Sequence, residues 1–210
     1  MQGAGIGVML VVAAAISAGA VLLLAHFARG LGIIDEPGGR KSHACSVPLV
    51  GGLAIFAALL AVSWAIGLAP QIGWFLFALS VVVAIGFWDD RAEIRPGLKF
   101  AIQIVASGIM IWGGGVVLGS VGDLIGWRSI GLSVLAVPLT IFAVVGVVNS
   151  INMMDGLDGL AGSIALVSFT WYALVASQSG LEAHTLAAWV LCGSIAGFLL
   201  FNLRLPWQRE

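Results

Sequence analysis

The chain has 210 residues, of which 60% are hydrophobic and only 9% are charged, and its mean hydropathy is +1.11. Soluble domains carry about 25% charged residues. This composition therefore excludes an ordinary soluble domain and indicates an integral membrane protein. The formal net charge is −1 and no basic cluster follows the pattern of a phosphate-backbone contact, so we expect no nucleic acid partner.

Polar breaks divide the apolar sequence into seven candidate membrane-spanning helices. A spanning helix needs about 20 mostly apolar residues. The candidates lie at about 4–28, 50–69, 71–88, 99–118, 133–150, 160–177 and 185–203. No basic residue precedes the first one, which is typical of a spanning helix with an outside N-terminus rather than a cleaved signal peptide. The predicted fold class is all-α, a polytopic membrane bundle of about seven helices in a single domain over residues 1–210.

The basic residues lie almost entirely on one predicted side of the membrane. With the N-terminus outside, that side holds the loops at 29–49, 89–98 and 149–159 and the tail at 204–210. It carries eight of the nine Lys and Arg residues, and only Arg128 lies on the other side. The positive-inside bias assigns the basic side to the cytoplasm. Eight of the ten acidic residues lie there too, and since acids contribute little to orientation, they need another explanation.

The first cytoplasmic loop, IIDEPGGRKSHACSVPLVGG, contains a compact cationic patch formed by Arg40, Lys41 and His43. Arginine can bind a phosphate through two parallel N–H donors, and lysine acts as a point charge. The patch is therefore a candidate phosphate-binding site. Contact with anionic lipid headgroups explains the same residues equally well, and this loop alone leaves both interpretations open.

The second loop, GFWDDRAEIRPGLKF, places two adjacent carboxylates, Asp89 and Asp90, at the end of the third helix. Neighbouring helical residues point about 100° apart, so we expect only one of the two to face a given site directly. Magnesium often binds one or two carboxylates together with substrate phosphates. The pair is therefore a candidate metal site, and a solvated helix end is the simpler alternative for the pair in isolation.

The third loop, NSINMMDGLDGLAG, contains Asn149, Asn152, Asp155 and Asp158 at steps of three residues. Side chains three residues apart are neighbours on one helix face, so the two asparagines should line one stripe at the end of the fifth helix. The glycines that follow should break the helix and let the backbone approach a ligand. Polar residues near membrane depth are functional candidates by default. As an alternative, Asp158 could cap the sixth helix, which would explain one residue of the four.

Together the three loops resemble the polyprenyl-phosphate N-acetylhexosamine-1-phosphate transferases, which form glycosyltransferase family 4. The order is RKSHACSVPLVGG, then DD with Lys99 nine residues after Asp90, then NSINMMDGLDGL. The resemblance runs from about Asp35 to the C-terminus. These membrane enzymes transfer a sugar 1-phosphate from a UDP-sugar to a lipid phosphate. The resemblance therefore implies an enzyme of the bacterial inner membrane with its active site facing the cytoplasm.

Two branches of this family differ in the first loop. The chain has VPLVGG where the phospho-N-acetylmuramoyl-pentapeptide transferases usually carry Thr-Pro-Thr-Met-Gly-Gly. It looks more like the branch that uses smaller UDP-N-acetylhexosamines to start cell-envelope glycans such as the O-antigen of lipopolysaccharide. The resemblance thus implies UDP-N-acetylglucosamine or a close relative as donor and undecaprenyl phosphate as acceptor. The pentapeptide transferase activity stays as the alternative, and a homodimer stays open as the assembly.

The resemblance also implies roles for individual residues. Asp89 and Asp90 would activate the acceptor phosphate or bind Mg²⁺, with Mn²⁺ as a substitute. Asp155 and Asn152 would shape the magnesium and pyrophosphate site, and residues 156–158 would lie near the uracil ring. The candidates for substrate contact are Arg40, Lys41, His43, Lys99, Asn149, Asn152, Gly156, Leu157 and Asp158. Direct transfer and a covalent aspartyl-phosphate intermediate are both compatible with these roles.

The family usually continues for several helices beyond the point where this chain ends. We therefore expect the chain to be the N-terminal part of the transferase domain, with little activity alone. A transporter and a structural scaffold are the alternatives from other classes. A transporter would place ionisable residues near the middle of the membrane, and the seven segments are almost free of them. A scaffold gives no reason to gather eight acids on one side.

Overall fold

The computed structural model describes residues 3–31, 34–35, 47–48, 50–92, 94–123, 126, 129–155 and 158–203. Across these ranges the protein is a helical bundle with one two-residue ladder. The α-helices are α1 (Gly3–Leu31), α2 (Gly51–Ala65), α3 (Gly73–Arg91), α4 (Pro96–Gly108), α5 (Ala136–Met154), α6 (Leu160–Gln178) and α7 (Glu182–Asn202). Strands β1 (Ile34–Asp35) and β2 (Val47–Pro48) pair antiparallel between α1 and α2.

Six helical segments in the described ranges are long and apolar enough to cross a membrane, and α2 is shorter. The all-α membrane bundle predicted from the sequence is therefore confirmed. With 15 residues, α2 is about 22 Å long at 1.5 Å per residue. Its predicted range of 50–69 was too long because the backbone N–H groups of Leu68 and Ala69 both donate to the carbonyl of Ser63. Gly67, with φ of 70°, makes this reversal of the chain possible without strain.

Helix α4 also differs from its predicted range of 99–118. It begins at Pro96, because proline is favoured in the first helical turn, where its missing N–H is not needed. It continues as a π-helix over Ile109–Gly113 and ends in the glycine run at 113–115. The chain then runs beside α5, where the backbone N–H of Leu118 donates to the hydroxyl of Thr140 at 2.9 Å.

One end of the bundle holds the helix ends that border the three polar loops identified in the sequence analysis. A buried cluster there joins Val21 and Ala28 of α1 to Ala54 of α2, and Phe87 of α3 and Phe198 of α7 pack against it. The C-terminal parts of α1, α3 and α7 therefore lie beside the N-terminal part of α2. The turns from α3 to α4 and from α5 to α6 close at the same end. We call this end of the bundle the polar end.

Helix α7 lies at the centre of the bundle. About 61% of its most apolar stretch is buried, against 17% to 28% for the corresponding stretches of the other five spans of the described structure. It packs against α1, α2 and α6, whereas α4 packs against α3 and α5. The bundle thus consists of two helix groups, which contact each other between α2 and α3 and between α5 and α6.

The contact between α1 and α7 depends on two glycines one turn apart. A Cβ atom at Gly193 would lie 2.5 Å from the backbone oxygen of Leu10, and one at Gly197 would overlap the backbone of Ala14. In lipid the hydrophobic effect does not drive helices together, so close backbone approach and van der Waals contact hold them. The α1–α7 pair therefore requires residues without a side chain at both positions.

Gly197→Ala should destabilise the bundle, because the added methyl group forces α7 away from α1. We expect a cost of about 1–3 kcal/mol, typical of overpacking, and a fall of several degrees in the melting temperature in detergent. Gly146→Ala on α5 is the matched control, since nothing lies within 4 Å of the added Cβ. Tryptophan fluorescence during heating measures both. Equal melting temperatures for the two variants would contradict this packing.

Candidate functional site

Asp89 fastens the turn between α3 and α4. Its Oδ2 accepts a hydrogen bond from Lys99 Nζ at 2.5 Å, and its Oδ1 accepts one from the backbone N–H of Ile94 at 3.0 Å. The Asp89 and Lys99 side chains are both partly exposed, so water weakens the ion pair itself. Both carboxylate oxygens of Asp89 thus hold the segment that connects the two helices.

Asp90 has different surroundings from its neighbour. It lines a cavity of about 510 Å³, whereas Asp89 is not among the residues of the cavity wall. The difference follows from helix geometry, since consecutive side chains diverge by about 100°. Of the two adjacent carboxylates, Asp90 is therefore the one that a ligand in the cavity would meet.

The cavity lies between the two helix groups, and α2, α3, α5, α6 and α7 all contribute to its wall. Most of that wall is apolar, with side chains such as Phe56, Val83 and Phe169. Among the described residues, the polar side chains of the wall are those of Asp90, Asn152 and Asp155. All three belong to the polar end, so the cavity is apolar along its length and anionic at its mouth.

The two asparagines of the third loop make different contacts. Helix α5 extends to Met154, so Asn149 and Asn152 are both helical and Asp155 is the C-cap. Asn152 lines the cavity, but Asn149 is not part of its wall. Instead, Asn149 Nδ2 donates to Gln103 Oε1 on α4 at 2.6 Å and to the backbone oxygen of its own helix at Val145, at 2.8 Å.

The loop after α5 is fastened to the end of α7. The backbone N–H of Gly159 donates to Asn202 Oδ1 at 2.8 Å. Gly159 has φ of 76°, and a side chain there would overlap Leu203. The N-cap of α6 is Gly159, so Asp158 is not the N-cap residue but the one before it.

Several predicted site residues lie outside the described residues. They are Arg40, Lys41, His43, Gly156 and Leu157. The cationic patch of the first loop and the uracil contacts therefore stay predictions. The ladder formed by β1 and β2 does bring together the two ends of the segment that contains the patch, next to α2 at the polar end.

The pKa of Asp155 is raised above its ordinary value by its surroundings. The side chain is exposed, yet enough protein surrounds it that partial desolvation is the larger cause, and the negative charge of Asp158 is the smaller one. Both causes disfavour the charged carboxylate, and a nearby cation would offset both. The environment of Asp155 therefore favours binding of a cation.

The donor atoms at the mouth of the cavity fit a hard divalent cation that shares its ligands with a substrate. Mg²⁺ prefers oxygen ligands and is often held by one or two carboxylates plus substrate phosphates. Asp90, Asn152 and Asp155 contribute two carboxylates and one amide to the wall of the same cavity. No group of three or more Asp, Glu, His or Cys side chains forms a complete cage within the described ranges. With two carboxylates and one amide, the residues of the cavity wall suit a cation that substrate phosphates also coordinate.

Three residues of this region were not predicted from the sequence. Gln103 is a lone amide within an apolar run, and this pattern could have marked it as a functional candidate. Asn202 ends the apolar run of α7, which is a weaker signal. Phe198 occupies the space that a side chain at Gly51 would need, and no local pattern indicates a contact between such distant residues.

The fold and the site define a polytopic membrane protein with carboxylates at the mouth of a largely apolar cavity. A family model described as glycosyl transferase family 4 matches residues 72–206, which is more than half of the chain. The chain belongs to glycosyl transferase family 4, as its three loops predicted.

Three similar curated proteins are each named undecaprenyl-phosphate alpha-N-acetylglucosaminyl 1-phosphate transferase. The Haemophilus influenzae protein is 34% identical over 189 residues, which cover 89% of this chain and 53% of that protein. The Salmonella typhi protein is 30% identical over 193 residues, with 90% and 52% covered. The Escherichia coli K12 protein is 30% identical over 186 residues, with 87% and 50% covered. The chain thus spans about half the length of the curated relatives it matches.

Asp158→Asn should lower the pKa of Asp155, because it removes a negative charge that disfavours ionisation of the Asp155 carboxyl. The measurement is a ¹³C NMR titration of the Asp155 carboxyl carbon, assigned by its disappearance in Asp155→Asn. Asp123→Asn, at the opposite end of the bundle, is the control and should leave the midpoint unchanged. If Asp158→Asn also leaves it unchanged, the two carboxylates are not coupled.

Proposed function

We propose that the protein transfers N-acetylglucosamine 1-phosphate from UDP-N-acetylglucosamine to undecaprenyl phosphate and releases UMP. The observation that carries this proposal is the cavity with apolar walls and an anionic mouth. The names of the similar proteins suggest the reaction. The excess of Lys and Arg in the loops predicted to be cytoplasmic supports an active site on the cytoplasmic face of a bacterial inner membrane.

The cavity matches the two chemical parts of a lipid phosphate. Its apolar wall suits the part of the polyprenyl chain next to the phosphate, and each buried CH₂ group would contribute about 0.8 kcal/mol. The phosphate of such a lipid would then lie at the mouth, beside Asp90, Asn152 and Asp155. Because the cavity lies between the two helix groups, the acceptor would bind along the helices and present its phosphate at the membrane surface.

The proposed reaction brings two anions together. An oxygen of the lipid phosphate attacks the β-phosphorus of the donor, the bond from that phosphorus to the bridging oxygen breaks, and UMP leaves with the bridging oxygen. Mg²⁺ bound at the site would offset negative charge on both phosphates. Asp90 and Asp155, with Asn152, would hold the cation, and Lys99, kept in place by Asp89, would add a positive charge at the same end.

In the protein expressed from its own gene, Asp90→Asn and Asp155→Asn should each lower the rate of UMP release about 100-fold or more. Each change removes charge stabilisation at a highly charged transition state, an effect commonly worth about 2.7–4 kcal/mol. UMP is measured in detergent with UDP-N-acetylglucosamine, undecaprenyl phosphate and Mg²⁺. Glu182→Gln, at the opposite end of the bundle, should keep the wild-type rate, and all variants should elute as folded protein in size-exclusion chromatography.

The same assay separates the two branches of the family when UDP-N-acetylmuramoyl-pentapeptide replaces the smaller donor. UMP release only with the pentapeptide donor would transfer the assignment to the other branch. Absence of release from the wild-type protein with either donor would reject the proposed reaction. Wild-type rates in both aspartate variants would remove Asp90 and Asp155 from the site.

A further inference from the structure

We propose that Gln103 is a positioning residue that holds α5 in the register in which Asn152 and Asp155 face the cavity. It acts through Asn149, to which it is hydrogen-bonded, and it is not part of the cavity wall. This inference deepens the proposed function and rests on it. It also reassigns Asn149, which the sequence analysis placed among the substrate contacts, to a role between helices.

Gln103 is an amide buried inside a membrane span. It lies within the segment Pro96–Gly113, and only 9% of its surface is exposed. A polar group in such a place costs free energy unless it is hydrogen-bonded, and polar residues inside membrane spans are functional candidates by default. The side chain of Gln103 is therefore not explained by packing, which an apolar residue of the same size would satisfy.

The contact between Gln103 and Asn149 is short and specific. Gln103 Oε1 accepts from Asn149 Nδ2 at 2.6 Å, and the same nitrogen donates to the backbone oxygen of Val145 at 2.8 Å. An amide nitrogen has two hydrogens, so both donors of Asn149 are engaged within the protein. The pair thus links α4 to one particular turn of α5.

This link lies directly inside the polar end. Lys99, which holds Asp89, is four residues before Gln103 on α4, and Asn152 is three residues after Asn149 on α5. Residues at these spacings share a helix face. One turn of each helix therefore separates the hydrogen-bonded pair from the groups at the mouth of the cavity.

A change of register at this point would move the site. One residue along a helix corresponds to a rise of 1.5 Å and a rotation of 100°. If α5 moved by one residue relative to α4, Asn152 would turn away from the cavity and Asp155 would be displaced relative to Asp90. The hydrogen bond makes such a shift costly, because it would take this partner away from the amide oxygen of the buried Gln103.

A role in helix association alone would affect stability and leave the chemistry unchanged. Hydrogen bonds between membrane helices contribute only modestly to stability. A positioning role predicts a different pattern, in which turnover and metal dependence change while the protein stays folded. Ser107→Ala is a matched control, because it removes another buried hydrogen bond of α4, from the Ser107 hydroxyl to the Gln103 backbone, without touching α5.

The kinetic experiment uses the protein expressed from its own gene and the UMP assay. Gln103→Leu should lower kcat at least tenfold and raise the Mg²⁺ concentration needed for half-maximal rate, whereas Ser107→Ala should match the wild type in both. Gln103→Asn shortens one amide and should also lower kcat. The double variant Gln103→Asn/Asn149→Gln shortens the amide side chain on α4 and lengthens the one on α5 by the same methylene group. It should therefore recover most of the rate.

A second experiment needs no activity. Spin labels are attached to cysteines at Arg95 and Met153, two exposed positions at the polar ends of α4 and α5, in a background without the native cysteines. Gln103→Leu should shift or broaden the distance distribution between the labels, and Ser107→Ala should leave it unchanged.

The two experiments separate the two proposals. An unchanged distance distribution in Gln103→Leu overturns the positioning role, whatever the activity of the protein. A wild-type kcat and metal dependence in Gln103→Leu also overturns it, as does a double variant no faster than Gln103→Asn. If Gln103→Leu shifts the distance distribution but the wild-type protein releases no UMP with either donor, the register role is supported and the proposed reaction is rejected.

Discussion

The close approach of α7 to α1 determines the arrangement of the other helices. Gly193 and Gly197 let the backbones meet, and α7 is thereby held at the centre, where α1, α2 and α6 pack around it. Its C-terminal end is consequently fixed at the polar end of the bundle. There Asn202 accepts the hydrogen bond from Gly159, which anchors the loop after α5, and Phe198 forms part of the cavity wall. The close contact between α1 and α7 at Gly193 and Gly197 thus supports one side of the candidate site.

The carboxylates of the polar end have two different roles: some stabilise the fold and others line the cavity. A carboxylate at the edge of a membrane is costly unless it is hydrated, paired or bound to a cation, so each acid there needs an environment of its own. Asp89 is paired with Lys99 and fixes the turn between α3 and α4. Asp90 and Asp155 line the cavity, and partial desolvation together with the charge of Asp158 raises the pKa of Asp155. A divalent cation shared with substrate phosphates would offset this cost, which links the electrostatics of the site to the proposed phosphoryl transfer.

Much of the fold follows from the sequence because a bilayer leaves few alternatives. Apolar runs of about 20 residues have to span it, so helix number, order and the clustering of the polar loops were predictable. The early ends of α2 and of the α4 span could not be predicted, because they depend on backbone hydrogen bonds made outside regular helix, such as those to Ser63. Spacing correctly indicated that Asn149 and Asn152 are both helical. It could not show that Asn149 bonds to Gln103, because the two residues are 46 positions apart and their pairing depends on how α4 and α5 pack.

We propose that Asp90 of α3 and Asp155 of α5 bind one divalent cation together with the pyrophosphate of the donor. The most direct test is electron–nuclear double resonance of Mn²⁺ bound to the protein expressed from its own gene, with ¹³C-labelled aspartate carboxylates and UDP-N-acetylglucosamine present. We expect ³¹P coupling together with ¹³C coupling from two carboxylates. Asp90→Asn and Asp155→Asn should each remove the ¹³C coupling of one carboxylate. Phosphorus coupling without carboxylate coupling, or carboxylate coupling that both variants retain, would contradict it.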